Sequence, residues 1–215
     1  TTNCKGVVMI SAAAGQQLSL IARPRILVTG FGPFPGVPEN PTADLVRSLP
    51  RRIMGLKVHR RVLPVSWARS SEVLERAVDR VVPHLVLMLG VATQEATGRL
   101  ETRALNRLDG RPDSDGDLLL PGPIVPTRDL QHARNCHWPI DEFIKSLHVK
   151  GHRIVSSENA GRYLCNHTYY KAFDVPASAG VGFLHVAPGT YQDRYDPRRQ
   201  LLVDLIRALD LWLRA

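Results

Sequence analysis

Long apolar runs are missing from the 215 residues: no stretch approaches the length of a membrane-spanning helix, so no membrane partner is expected. Cysteine is scarce as well. Cys4, Cys136 and Cys165 make an odd count in a chain large enough to fold without staples, which argues for a reducing compartment and against a disulfide framework. The formal net charge of +8 comes mainly from scattered arginine, with no run of five like charges and no alternation of basic and aromatic residues. A solvated arginine-rich surface accounts for it, and no nucleic-acid partner is expected.

Two common site signatures are also absent. Gly30, Gly32 and Gly36 follow an apolar run but do not stand at the dinucleotide spacing, and Pro33 and Pro35 remove two N–H donors that a phosphate needs. His132, Cys136 and His137 lack a second spaced pair of ligands, so no metal centre is expected from them.

What is present is an alternation of apolar strands and amphipathic helices. Strands are expected at 25–29, 57–65, 85–89, 153–156 and 181–186, with a short mixed one at 100–106. Helices are expected from Asn40-Pro41 to about 49, over 70–82 and 139–149, from about Cys165, and over 198–214, where Asp204, Arg207, Asp210 and Arg214 form one polar stripe. Between 107 and 135 the composition turns to Gly, Pro and Asp, one long irregular excursion of the kind that tends to be functional or mobile. The pattern predicts one three-layer α/β/α domain over 24–215, its sheet mostly parallel and covered on both faces. Residues 1–23 read as a loosely ordered extension. Their short apolar core after Lys5 only imitates a signal peptide and is followed by Gln16-Gln17.

In such sheets ligands sit beyond the carboxyl ends of the strands, and Gly30, Gly90, the loop before Cys165 and the end of the strand holding His185 are all expected there. Cys165 follows a strand and a loop with Gly161 and opens a helix, where free N–H groups and the helix dipole suit a thiolate nucleophile. A small buried core cysteine is the competing reading. His167, two residues further along the helix, faces away from it. His185, in an otherwise apolar strand, is either a base for the cysteine or a satisfied core histidine. Glu101, between Leu100 and Thr102, is either the paired carboxylate that orients a base or a surface glutamate on an edge strand. Phe31 and Phe34 flank a glycine-proline pair and suit a small flat apolar group, though either could be ordinary core.

Together these segments resemble a known family. Thr29-Gly-Phe-Gly-Pro-Phe34 with Asn40-Pro41, Glu101 to Asn106 with Arg111, Ala160 to Asn166, and Phe183 to Val186 resemble the type I pyroglutamyl peptidases, also called pyrrolidone-carboxylate peptidases. The resemblance runs from about Arg25 to the C-terminus. It implies a cytosolic, metal-independent cysteine peptidase without cofactor, often a homotetramer, that removes N-terminal pyroglutamate from peptides. By the same resemblance Cys165 is the nucleophile, His185 the base, Glu101 the triad acid and Arg111 an aid to the oxyanion. Phe31 and Phe34 would sandwich the lactam ring, and Asn40 would brace the pocket loop. Three departures stand out. Pro35 replaces a glycine, Val91 replaces a pocket glutamine, and only 20 positions separate Cys165 from His185.

Overall fold

Apolar runs that end in glycine form the middle of the sheet, where β-branched and leucine side chains can be buried on both faces. The computed structural model describes residues 24–34, 37–38, 40–92 and 97–215. The expected extension over 1–23 with Cys4, and the departure at Pro35, lie outside the described residues.

Among the described residues, seven strands make the main sheet: β1 (Arg25–Phe31), β2 (Arg52–Ile53), β3 (Leu56–Leu63), β4 (Leu85–Val91), β5 (Gly98–Glu101), β8 (Ile154–Ser157) and β9 (Val181–Val186). They lie in the order β2-β3-β1-β4-β9-β5-β8. A separate two-stranded sheet pairs β6 (Arg103–Leu105) with β7 (Ala133–Asn135). The helices are α1 (Pro41–Ser48), α2 (Arg69–Val81), α3 (Ile140–Val149), α4 (Leu164–Ala172) and α5 (Pro197–Arg214).

Because successive strand residues point to opposite faces, the sheet sorts its own core. Ile26, Val28, Leu85, Leu87, Leu184 and Val186 pack with α1, α3 and α5 on one side. Leu27, Phe31, Val86, Met88, Val181 and Phe183 pack with α2 and α4 on the other. The result is the three-layer α/β/α domain that the alternation predicts.

Two expectations are corrected by the topology. The stretch 100–106 is two strands rather than one, because the two backbone groups of Thr102 serve different neighbours. Its N–H donates to Ser157 O at 2.7 Å, while its carbonyl accepts from Cys136 N at 2.8 Å. The chain therefore leaves the main sheet after Glu101, and β7 shortens the irregular excursion from its far end. Second, β5 runs antiparallel to β9 while β8 is parallel to β5. The loop before Cys165 thus starts from the end of the sheet opposite the carboxyl ends of β1, β4 and β9, and the chain must travel back to reach them.

The polar stripe of the last helix is also not uniformly exposed. Asp210 is buried, accepting from Gly55 N at 3.2 Å and pairing with Arg214 Nε at 3.1 Å. It docks α5 on the β2–β3 turn.

Candidate active site

The site lies on the α2/α4 face, where strand periodicity puts His185, Gly90, Glu101 and Arg99 together. His185 is opposite Gly90 on β4 and opposite Arg99 on β5. Glu101, two residues from Arg99, shares its face.

Cys165 arrives from α4. Gly161 turns the preceding loop at φ +84°, with its N–H held by Asn159 Oδ1 at 3.1 Å, a backbone conformation that other residues adopt at a cost. Asn166 then fixes the first turn of the helix: its Oδ1 accepts from Leu105 N at 2.9 Å, and its Nδ2 donates to Leu105 O at 2.8 Å and Arg107 O at 2.9 Å. This clamp ties the cysteine to the segment that follows Glu101. The sulfur rests over Gly90, where an added Cβ would come within 2.9 Å of Cys165 Sγ.

On the strand side, His185 Nδ1 donates to Glu101 Oε1 at 2.7 Å. The glutamate side chain is 0 % exposed, and β5 is an inner strand, so the edge-strand reading of Glu101 does not hold. Cys165 engages the imidazole as well. Burial opposes protonation of His185, but hydrogen bonding and charge from Cys165 and Glu101 outweigh it and lift the imidazole to about 9. The arrangement can therefore hold a proton at His185 at neutral pH, ready for a leaving group.

Cys136, His167 and His132, a thiol and two imidazoles that the sequence also offered, have other partners. Cys136, with its Sγ against Val181 O at 3.4 Å, is pushed by burial up to about 11, which leaves an inert thiol. His167 stacks edge-on against Trp67 at 5.4 Å, and burial, with help from Lys171, lowers it to about 4. His132 accepts or donates at Nδ1 to Tyr170 OH at 2.8 Å and takes no part in the site.

Beside the sulfur opens a pocket lined by Phe31, Phe34, Asn40, Val65, Val91, Tyr163, Leu164 and Cys165. The structure thus brings Phe31, Phe34 and Asn40 to Cys165. Asn40 caps α1 by accepting from Thr42 N at 3.0 Å and donates through Nδ2 to Gly32 O at 3.0 Å. Capping and bracing hold at once. Arg111 sits at the rim, its guanidinium 4.6 Å from the Tyr163 ring and its Nε 2.8 Å from Asp109 Oδ2, with the side chain 61 % exposed.

Val65, Tyr163 and Leu164 are pocket residues that the sequence reading missed. The last two had a signal, since they immediately precede the cysteine. Val65 had one only through register, because β3 ends beside Phe31.

Comparison with known proteins points to one family. Residues 24–192 match the family model described as pyroglutamyl peptidase. The chain is 34% identical to the pyrrolidone-carboxylate peptidase of Pyrococcus furiosus over 168 residues, 75% of this chain and 80% of the relative. It is 32% identical to pyrrolidone-carboxylate peptidase 1 of Streptococcus pneumoniae over 198 residues, 89% of this chain and 92% of the relative. Among solved structures, that of pyrrolidone carboxyl peptidase from P. furiosus, a hyperthermophile, superposes with a TM-score of 0.78 at 30% identity, covering 87% of this chain and 99% of the other.

Proposed function

The chain belongs to the pyroglutamyl peptidase family of cysteine exopeptidases, and from that premise we propose that it hydrolyses the amide bond after an N-terminal pyroglutamyl residue with Cys165, His185 and Glu101 as its triad. One observation supports the residue roles above others: a buried Glu101–His185 pair at 2.7 Å engages the cysteine that lines an almost wholly apolar pocket.

The Cys165 sulfur attacks the pyroglutamyl carbonyl carbon, forming a C–S bond and pushing an electron pair onto oxygen. Backbone N–H groups at the start of α4, with Arg111 at the rim, meet that oxyanion. As the pair returns, the C–N bond breaks and His185 gives its proton to the departing amine. A water then loses a proton to His185 and attacks the thioester. The C–S bond breaks, 5-oxoproline leaves, and the thiolate and imidazolium are restored. Glu101 holds the imidazole in the tautomer with hydrogen on Nδ1 and supports its cationic form.

Selection follows from desolvation. A five-membered lactam carries no charge and fits between Phe31 and Phe34, whereas a free N-terminal ammonium would lose its hydration against Val65, Val91 and Leu164.

The proposal extends to a cytoplasmic homotetramer. Cys136 and Cys165 are unpaired, which suits a reducing compartment, and exposed Leu118, Leu119 and Leu120 offer apolar surface for an assembly to cover.

The test is release of a fluorophore from its pyroglutamyl amide. Cys165→Ser or iodoacetamide is expected to abolish release, while chelators leave it intact; chelator-sensitive release surviving in Cys165→Ser would overturn the assignment.

A further inference from the structure

The Glu101 carboxylate has a second charged neighbour. Arg99 Nε lies 3.7 Å from Glu101 Oε1, the same oxygen that accepts from His185. The contact is too long for a hydrogen bond and close enough for strong Coulombic attraction in a site shielded from water. Arg99 is positioned for this by the fold. It stands opposite His185 in the β5–β9 ladder and on the same face as Glu101, with its side chain only 23 % exposed.

A fully buried carboxylate needs a compensating charge. The other Glu101 oxygen, Oε2, has no hydrogen-bond partner among the described residues. Among the described residues, the groups facing the pair include Cys165 and Tyr169 from α4, the latter donating to Glu101 O at 3.2 Å, with Cys136 beside Tyr169, and Arg99 from β5 itself. Of these, only Arg99 is a permanent cation. With thiolate and imidazolium formed, these four charges alternate in sign. Once His185 gives up its proton, the carboxylate keeps the Arg99 guanidinium beside it.

We propose that Arg99 is a positioning residue of the triad, a guanidinium that balances the Glu101 carboxylate through the half of the cycle in which His185 is neutral. The proposal rests on the triad roles given above. Without that charge the carboxylate would draw on the imidazolium alone, so His185 would release its proton less readily.

The experiment compares Arg99→Met, Arg99→Gln and Arg99→Lys with the unaltered chain, each first shown to be folded by its circular dichroism. The Met and Gln variants are expected to move the pH profile of kcat/KM upward by about one unit, with kcat near neutrality reduced roughly tenfold, while Lys stays close to the parent. The rate of Cys165 alkylation by iodoacetamide is measured against pH in parallel, because it reports the same charges without requiring turnover. A shifted alkylation profile in a chain that cleaves no pyroglutamyl amide would retain the role of Arg99 and sink the substrate assignment. Folded Met and Gln variants with unshifted profiles, or a Lys variant as shifted as they are, would overturn the proposal.

Discussion

Gly90 matters for the atom it lacks. A Cβ there would stand 2.9 Å from Cys165 Sγ and 2.8 Å from Phe183 Cε1, so the nucleophile or the ring behind His185 would have to move. Gly90→Ala is expected to lower kcat on the order of 10²-fold, since a displacement of about 1 Å at a reacting atom has that effect, and to destabilise the fold by about 1–3 kcal/mol. Steady-state kinetics and denaturant unfolding of the same preparation separate the two. His185 gives a second expectation at this scale. Its ordinary value of 6.5 is raised to about 9, so the folded state binds that proton more tightly than the unfolded chain does. The stabilisation is complete below about pH 6.5, fades as pH rises through about 9, and turnover should fall over the upper part of the same window. A pH–rate profile flat to well above 9 would contradict the assignment of the general acid. The three triad candidates were legible because each breaks its local pattern: a cysteine after a glycine turn, and a histidine and a carboxylate inside apolar strands. Gly90 was expected at the carboxyl edge of the sheet, but its place beneath the sulfur, like the place of Arg99 beside Glu101, was not legible, because it depends on which residues face each other across strands, and sequence periodicity carries no cross-strand register.

Among the elements, α1 does two jobs through its first residues. Thr42 Oγ1 accepts from Phe31 N at 3.0 Å and donates to Asn40 Oδ1 at 2.7 Å, so the cap of the helix and the pocket phenylalanine share one network. Gly30 lets the helix approach, since an added Cβ would come within 2.5 Å of Thr42 O. Asn40→Ala should lose about 1 kcal/mol of stability from the cap and raise KM several-fold with little change in kcat, because the support under Phe31 and Phe34 loosens while the triad stays in place. Unfolding midpoints and Michaelis constants measure both. The helix itself could be read in advance from Asn40-Pro41 and its stop at Pro50. The break inside 100–106 could not, because nothing in Leu100 to Asn106 signals that Thr102 divides its backbone bonds between Ser157 on β8 and Cys136 just after β7. The reversed direction of β5 and β8 was hidden for a related reason: an apolar run reads the same whichever way it threads the sheet.

At the scale of the whole molecule, the last helix is fastened by Asp204. Burial works against its ionisation, yet hydrogen bonds from His152, Lys150 and Arg207 overcome that and hold the carboxyl at about 2, below its usual 3.8. The stability it contributes is present above about pH 3.8 and lost as pH falls through about 2. Asp204→Asn should flatten that acid segment of the stability curve, as read from urea midpoints, without changing turnover near neutrality. A variant as acid-sensitive as its parent would show that the clamp contributes nothing there. The antiparallel junction between β9 and β5 reaches further. It sets the parallel block β3-β1-β4-β9, which carries the histidine, against the β5–β8 pair, which carries the glutamate. Catalytic competence is then a gauge of that seam: a chain whose β5–β8 pair has peeled away would fall silent while most of its architecture still stood, so inactivation on heating should run ahead of global melting.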